Sequence, residues 1–182
     1  ANIAFEQSYG GVDGDSASLG ELCGLLSAIA KLPVRQHIAI TGSMNQFGEV
    51  QPIGGVNEKI EGFYAACRLK NLKGPQAVII PVQNVRHLML REEVLAAVKS
   101  KQFVIYAVSR VEEAVELLMG MPAGKPDKDG MFPENSVFGK VAARMAVWHQ
   151  AEKDDEEDDE KGTDSKVIVP LAQKQARATR RR

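Results

Sequence analysis

The chain has 182 residues, 44% of them hydrophobic and 26% charged, with a formal net charge of −1. Such a length and composition describe one globular domain with a sizeable core, with or without a tail. The near-zero charge gives no general attraction to nucleic acid or an anionic membrane, no apolar run is long enough to span a bilayer, and no segment has the pattern of a signal peptide.

In chain order, Ile3 and Phe5 alternate with smaller or polar neighbours, which predicts a half-buried strand to about Tyr9. The chain thus opens inside a strand and without an initiator Met, the pattern of a domain excised from a longer polypeptide. Gly10, Gly11 and Gly14 mark a turn-rich loop that carries Ser16. Ser18-Leu19-Gly20-Glu21 reads as a capping box opening a helix, whose apolar face is Leu19, Leu22, Cys23, Leu26 and Ile29 and which ends before Pro33. Strands are predicted over 37–41 and 47–53. Gly54-Gly55 leads into a helix with Val56, Ile60, Phe63, Tyr64 and Cys67 on one stripe. A buried strand over 76–80 stops at Pro81, residues 84–100 read as mostly helical, and 103–108 as a further strand. Ser109-Arg110-Val111-Glu112 is a second capping box opening a helix to Met119. Strands and helices intermix, which predicts an α/β (mixed α+β) domain over 1–120.

Composition shifts after Gly120. Residues 121–150 read as a Pro/Gly/Lys/Asp linker followed by an extra helix with Val137, Val141, Met145 and Trp148 on one side. From Ala151 to Arg182 an acidic block and a terminal Arg180-Arg181-Arg182 carry too little apolar surface to order, so a disordered, solvated tail is expected there rather than a nucleic-acid contact. The two cysteines, Cys23 and Cys67, lie on helical apolar stripes and are expected to be buried free thiols, in keeping with a reducing compartment.

Two positions carry chemistry. Ser16 occupies the Gly-flanked turn at a helix mouth, where backbone N–H groups can point at a developing negative charge. Lys59 falls in the first turn of the second helix, at the border of its apolar stripe, where desolvation and the positive helix end favour the neutral amine. A neutral lysine can take the proton of a serine hydroxyl. On the residues alone, Ser16 also reads as a turn residue and Lys59 as a surface lysine whose stem covers apolar neighbours. A Ser-His-Asp triad is disfavoured. Gly14-Asp15-Ser16-Ala17-Ser18 lacks the second glycine of a nucleophile elbow, and His37, His87 and His149 fall on a strand, a helix and the tail border. No metal-ligand spacing and no phosphate-binding loop are present, so no metal and no cofactor are expected within this chain.

Together these segments resemble the proteolytic domain of the ATP-dependent serine protease Lon, its B-type, archaeal-like branch in particular. The resemblance rests on residues 5–18 around Ser16, on Ile40-Thr41-Gly42-Ser43, and on residues 48–59 ending in Lys59, and covers about residues 1–120. It implies the Lon catalytic-domain fold, with Ser16 as nucleophile, Lys59 as general base and Thr41 orienting the lysine amine. The backbone of Asp15, Ser16 and Ala17 would form the oxyanion hole, and Asp13 and Asp15 match acidic positions of the motif loop. It further implies unfolded protein or peptide as substrate, a homo-hexameric ring, an ATPase module N-terminal on the same polypeptide that uses ATP and magnesium, and a cytoplasmic location. A catalytically inactive Lon-like assembly module is the alternative.

Overall fold

The computed structural model describes Ile3 and residues 14–163, with side chains to Lys153. The predicted strand before the serine, and Asp13, lie outside the described residues, as does everything after Thr163. Two compact units are present, residues 1–145 and 146–182.

The first unit is built on a parallel three-stranded sheet. Its strands are β1 (Ile38–Ile40), β4 (Gln76–Pro81) and β5 (Phe103–Val108), in the order β1-β4-β5. The register pairs Ile38 with Ala77 and Gln76 with Phe103. A short antiparallel hairpin of β2 (Ser43–Met44) and β3 (Val50–Gln51) follows β1 and pairs Ser43 with Gln51. The helices are α1 (Ser18–Ala30), α2 (Val56–Leu69), α3 (Glu92–Lys99), α4 (Val111–Met119) and α5 (Val137–Thr163), and a 3-10 stretch covers Val82–His87.

The central strand explains the layering. All six residues of β4 are buried, the signature of a parallel strand covered on both faces. Because side chains alternate along a strand, Ala77 and Ile79 join Leu19 and Cys23 of α1 and Val111, Ala114, Val115 and Leu118 of α4. Val78 and Ile80 point the other way, into a cluster with Val56 and Ile60 of α2, Val94 and Ala97 of α3, and Phe103. Phe103 is closed over by Phe63 and Tyr64, the latter edge-on at 5.4 Å between ring centroids. Fully burying side chains of this size stabilises the fold by about 1.5–3 kcal/mol each. The result is a mixed α/β domain, as the sequence predicts, and the two clusters place α1 and α4 on one face of the sheet and α2 and α3 on the other.

Several boundaries differ from the sequence reading. The predicted 47–53 strand is reduced to Val50–Gln51, with Glu49 in an isolated antiparallel bridge to Arg110, because Gly48 is left-handed at φ 73° and Pro52 supplies no N–H. The predicted 84–100 helix is a 3-10 stretch and a separate α3, parted by residues 88–91. Ser18 is not a cap: α1 begins at Ser18 itself, behind Ala17 (φ −98°, ψ −11°), and the Ser18 hydroxyl is buried without a hydrogen-bond partner. The second box works one residue further on, where Glu113 accepts both the Ser109 N–H at 2.8 Å and the Ser109 hydroxyl at 3.1 Å.

The segment after Gly120 is packed. Val137 and Phe138 donate their N–H groups to the Pro122 and Ala123 carbonyls at 2.9 Å each, and Ala123, Val137 and Val141 enter the α1/α4 core. Met145 and Trp148 are exposed, so the apolar stripe of α5 stops at Val141. The helix continues to Thr163, whereas composition predicts disorder from Ala151. Once α5 is nucleated by its buried first turns, each added residue gains a backbone hydrogen bond, and Glu and Lys are good helix formers. Cys23 and Cys67 are buried free thiols, as expected.

Candidate active site

α1 packs on one face of the sheet and α2 on the other, and their N-terminal ends meet beyond the carboxyl end of β1. That is where open α/β sheets place their ligand crevices. Three consecutive residues leaving β1 form a strap that holds the serine turn. The Thr41 hydroxyl donates to the Ser16 carbonyl at 3.2 Å, and the Gly42 N–H donates to the same carbonyl at 2.8 Å. The Gly42 carbonyl accepts the Leu19 N–H at 3.1 Å, and the Ser43 hydroxyl donates to the Asp15 carboxylate at 2.6 Å. The strap thereby satisfies a first-turn donor of α1 from the Gly42 backbone, while the Glu21 N–H that a Ser18 cap would bind donates to the Ala17 carbonyl at 2.9 Å. An added Cβ at position 42 would stand 3.0 Å from Leu19 Cδ2 and 3.5 Å from both Pro81 and Val50, so a larger residue there would require the buried Leu19 side chain to give way.

Lys59 reaches the same place from α2. Gly55 precedes that helix at φ 66°, a left-handed conformation that glycine adopts without strain, and its carbonyl accepts the Lys59 N–H at 3.0 Å. Val56 and Ile60, buried in the core beside Lys59, fix the rotation of the first turn. Lys59 Nζ lies 2.6 Å from Ser16 Oγ and 3.4 Å from Thr41 Oγ1. The Thr41 hydroxyl therefore accepts from the lysine amine while donating to the Ser16 carbonyl, and is itself buried. Lys59 as a whole is exposed, so it does not have the partial desolvation expected from its place on the helix.

The sequence-selected residues are thus brought together: Ser16, Lys59 and Thr41 share one hydrogen-bonded group, and Asp15 and Ala17 flank it in the turn. The Ser18 N–H closes that turn onto the Asp15 carbonyl at 3.0 Å, just ahead of the positive end of α1. The histidines do not join it. His37, His87 and His149 are exposed on separate segments. Among the described residues no three His, Cys, Asp or Glu side chains are grouped to hold a metal ion. Nor is any helix there long and apolar enough to cross a membrane. Ser43 went unmarked as a site residue. Its signal was a small hydroxyl residue directly after the Thr-Gly at a strand end.

The family model for the Lon protease (S16) C-terminal proteolytic domain matches residues 9–121. The chain belongs to this family. A Lon protease homolog of Escherichia coli K12 is 57% identical over 121 residues, which is 66% of this chain and 21% of that protein. One of Haemophilus influenzae is 52% identical over 158 residues, 82% of this chain and 26% of that protein. An archaeal Lon protease of Pyrococcus abyssi is 37% identical over 118 residues, 65% of this chain and 11% of that protein. The chain therefore spans only about a fifth to a quarter of the first two relatives. The Lon match ends near Met121, yet residues 122–141 complete the core beneath α1 and α4, so the packed domain is longer than the matched segment.

Proposed function

We propose that this chain is a serine endopeptidase domain working through a Ser16-Lys59 dyad. The observation that carries the reading is the 2.6 Å separation of Lys59 Nζ and Ser16 Oγ at the mouth of α1. Neutral Lys59 accepts the hydroxyl proton as Ser16 Oγ attacks the scissile carbonyl carbon. The resulting oxyanion is held by backbone N–H groups of the turn at Asp15, Ser16 and Ala17, and the positive end of α1 favours the same charge. Lys59 then returns its proton to the leaving amine as the C–N bond breaks, leaving an acyl-Ser16 ester. Water, deprotonated by Lys59, hydrolyses that ester and restores the serine. Thr41 orients the amine.

The membership in the Lon family supports unfolded protein or peptide as substrate. It supports also a homo-hexameric ring in the cytoplasm, with an ATPase module N-terminal on the same polypeptide delivering substrate at the expense of Mg-ATP. The greater length of the relatives leaves room for such a module.

The direct test compares Lys59→Arg with Lys59→Met in hydrolysis of an unstructured peptide. Arginine keeps the charge but stays protonated and cannot act as a base. Both variants are expected to be inactive to the same degree. Substantial turnover by the arginine variant would reduce Lys59 to an electrostatic group and overturn the dyad.

A further inference from the structure

We propose that Ser43 is a positioning residue for the nucleophile, acting through the side chain of Asp15. This rests on the dyad reading above and extends it to a residue that neither binds the substrate carbonyl nor moves a proton. The Ser43 hydroxyl has one proton to donate. It lies 2.6 Å from the Asp15 carboxylate and 3.5 Å from Gln51 Oε1, so the carboxylate takes it. A hydrogen bond to an ionised acceptor at that length belongs to the strong class.

The two partners are unequally placed, and this decides what the bond does. Ser43 is buried, 3% exposed, and locked in β2 by pairing with Gln51 across the hairpin. Asp15 is exposed, in the turn immediately before the nucleophile. A carboxylate that loses this bond recovers water, so the bond adds little to global stability. Its effect is local: it ties a loop residue to a rigid hairpin. The Ser16 carbonyl is already fixed by Thr41 and Gly42, and the Leu19 N–H by Gly42. Among the described residues, Asp15 is the anchor on the N-terminal side of Ser16. It bears directly on the backbone proposed to face the oxyanion, because the Asp15 carbonyl receives the Ser18 N–H that closes the turn. With both ends of the turn tied, the N–H groups keep their aim during acyl transfer. With Asp15 released, the contacts that remain among the described residues hold them from the C-terminal side.

The test is a double-mutant cycle of Ser43→Ala and Asp15→Ala, each of which deletes one partner of the bond, in the 182-residue chain, with Ser43→Thr as the conservative variant. Two readouts are taken: the rate at which Ser16 displaces fluoride from a small fluorophosphonate probe to form the phosphonate ester, standing in for acylation, and the exchange rate of the Ser18 amide. Ser43→Ala is expected to slow the saturating acylation rate roughly tenfold to a hundredfold while leaving the half-saturating probe concentration within about twofold. Ser43→Thr restores the rate, and Asp15→Ala slows it as Ser43→Ala does. The double variant is no slower than either single one, since both remove the same bond. Ser18 amide exchange accelerates in both single variants with an unchanged melting temperature. Wild-type acylation in Ser43→Ala, additive losses in the double variant, or unchanged Ser18 exchange overturns the proposal. If the unaltered chain is not acylated, the dyad reading itself fails, and the exchange measurement alone decides whether the bond holds the turn.

Discussion

Replacing Thr41 with valine isolates the hydroxyl that joins the two halves of the proposed dyad. Valine keeps the branching and nearly the volume of threonine at a buried position, so the surrounding packing is retained. Two hydrogen bonds disappear: the donation from Lys59 Nζ at 3.4 Å and the donation to the Ser16 carbonyl at 3.2 Å. Both are long. The Ser16 carbonyl keeps the Gly42 N–H at 2.8 Å, and Lys59 keeps its 2.6 Å contact with Ser16 Oγ, so neither group is stranded. Each lost bond is therefore assigned the low end of the usual range, about 0.5–1 kcal/mol. Together they amount to about 1–2 kcal/mol of transition-state positioning, or roughly fivefold to thirtyfold in rate. The assay is steady-state hydrolysis of a fluorogenic peptide, with kcat and KM separated and a thermal melt of each protein alongside. The loss is expected in kcat, with KM and the melting temperature nearly unchanged. An unchanged kcat would show that the Thr41 hydroxyl plays no part in orienting Lys59. A loss as complete as that of Ser16→Ala would give Thr41 a direct part in the chemistry.

Three further outcomes follow from the packing. Gly139→Ala should lower stability by about 3 kcal/mol or more, seen as a lower denaturant midpoint, because the new Cβ would stand 2.0 Å from the Pro133 carbonyl oxygen, a backbone atom that cannot swing aside. Burial pushes the Cys23 thiol up to about 12 from 9.0. The unfolded chain then sheds that proton first, and its contribution to stability falls by about 1.4 kcal/mol per pH unit above pH 9. Denaturant titrations from pH 8 to 11 should show a shallower alkaline loss in Cys23→Ala than in the unaltered chain, and parallel curves would refute the assignment. Removing everything after Gln150 should leave melting temperature and peptide hydrolysis unchanged, because residues 151–153 are exposed and α5 enters the core through Val137 and Val141. A markedly lower melting temperature would show that the removed segment packs on the domain.

The features legible in the sequence were those set by local chemistry. Continuous apolar runs marked β4 and β5, helical spacing marked α1 and α2, and the Gly-flanked Ser16 and helix-mouth Lys59 stood out by residue type and position. What could not be read depended on partners distant in sequence. The Ser18 cap failed because α1 starts a residue earlier, with the Glu21 N–H on the Ala17 carbonyl, and because the Leu19 N–H is taken by Gly42, a bond that exists only once the end of β1 lies across the turn. The Ser43–Asp15 bond spans 28 positions for the same reason. Residues 122–136 look like a linker by composition, yet their backbone is tied to the start of α5 and Ala123 fills a gap in the core. The exposure of Lys59 was likewise invisible, since a helical wheel shows which residues border an apolar stripe and not how far the stripe is covered.

Labelling of Ser16 by the fluorophosphonate probe, read by mass spectrometry of the modified peptide, tests the central claim most directly. The unaltered chain is expected to carry one adduct, on Ser16, and Ser16→Ala none. Lys59→Met and Lys59→Arg are expected to label slower by at least about a hundredfold while melting as the unaltered chain does. Equal labelling with and without Lys59, or an adduct on a different serine, would contradict the account.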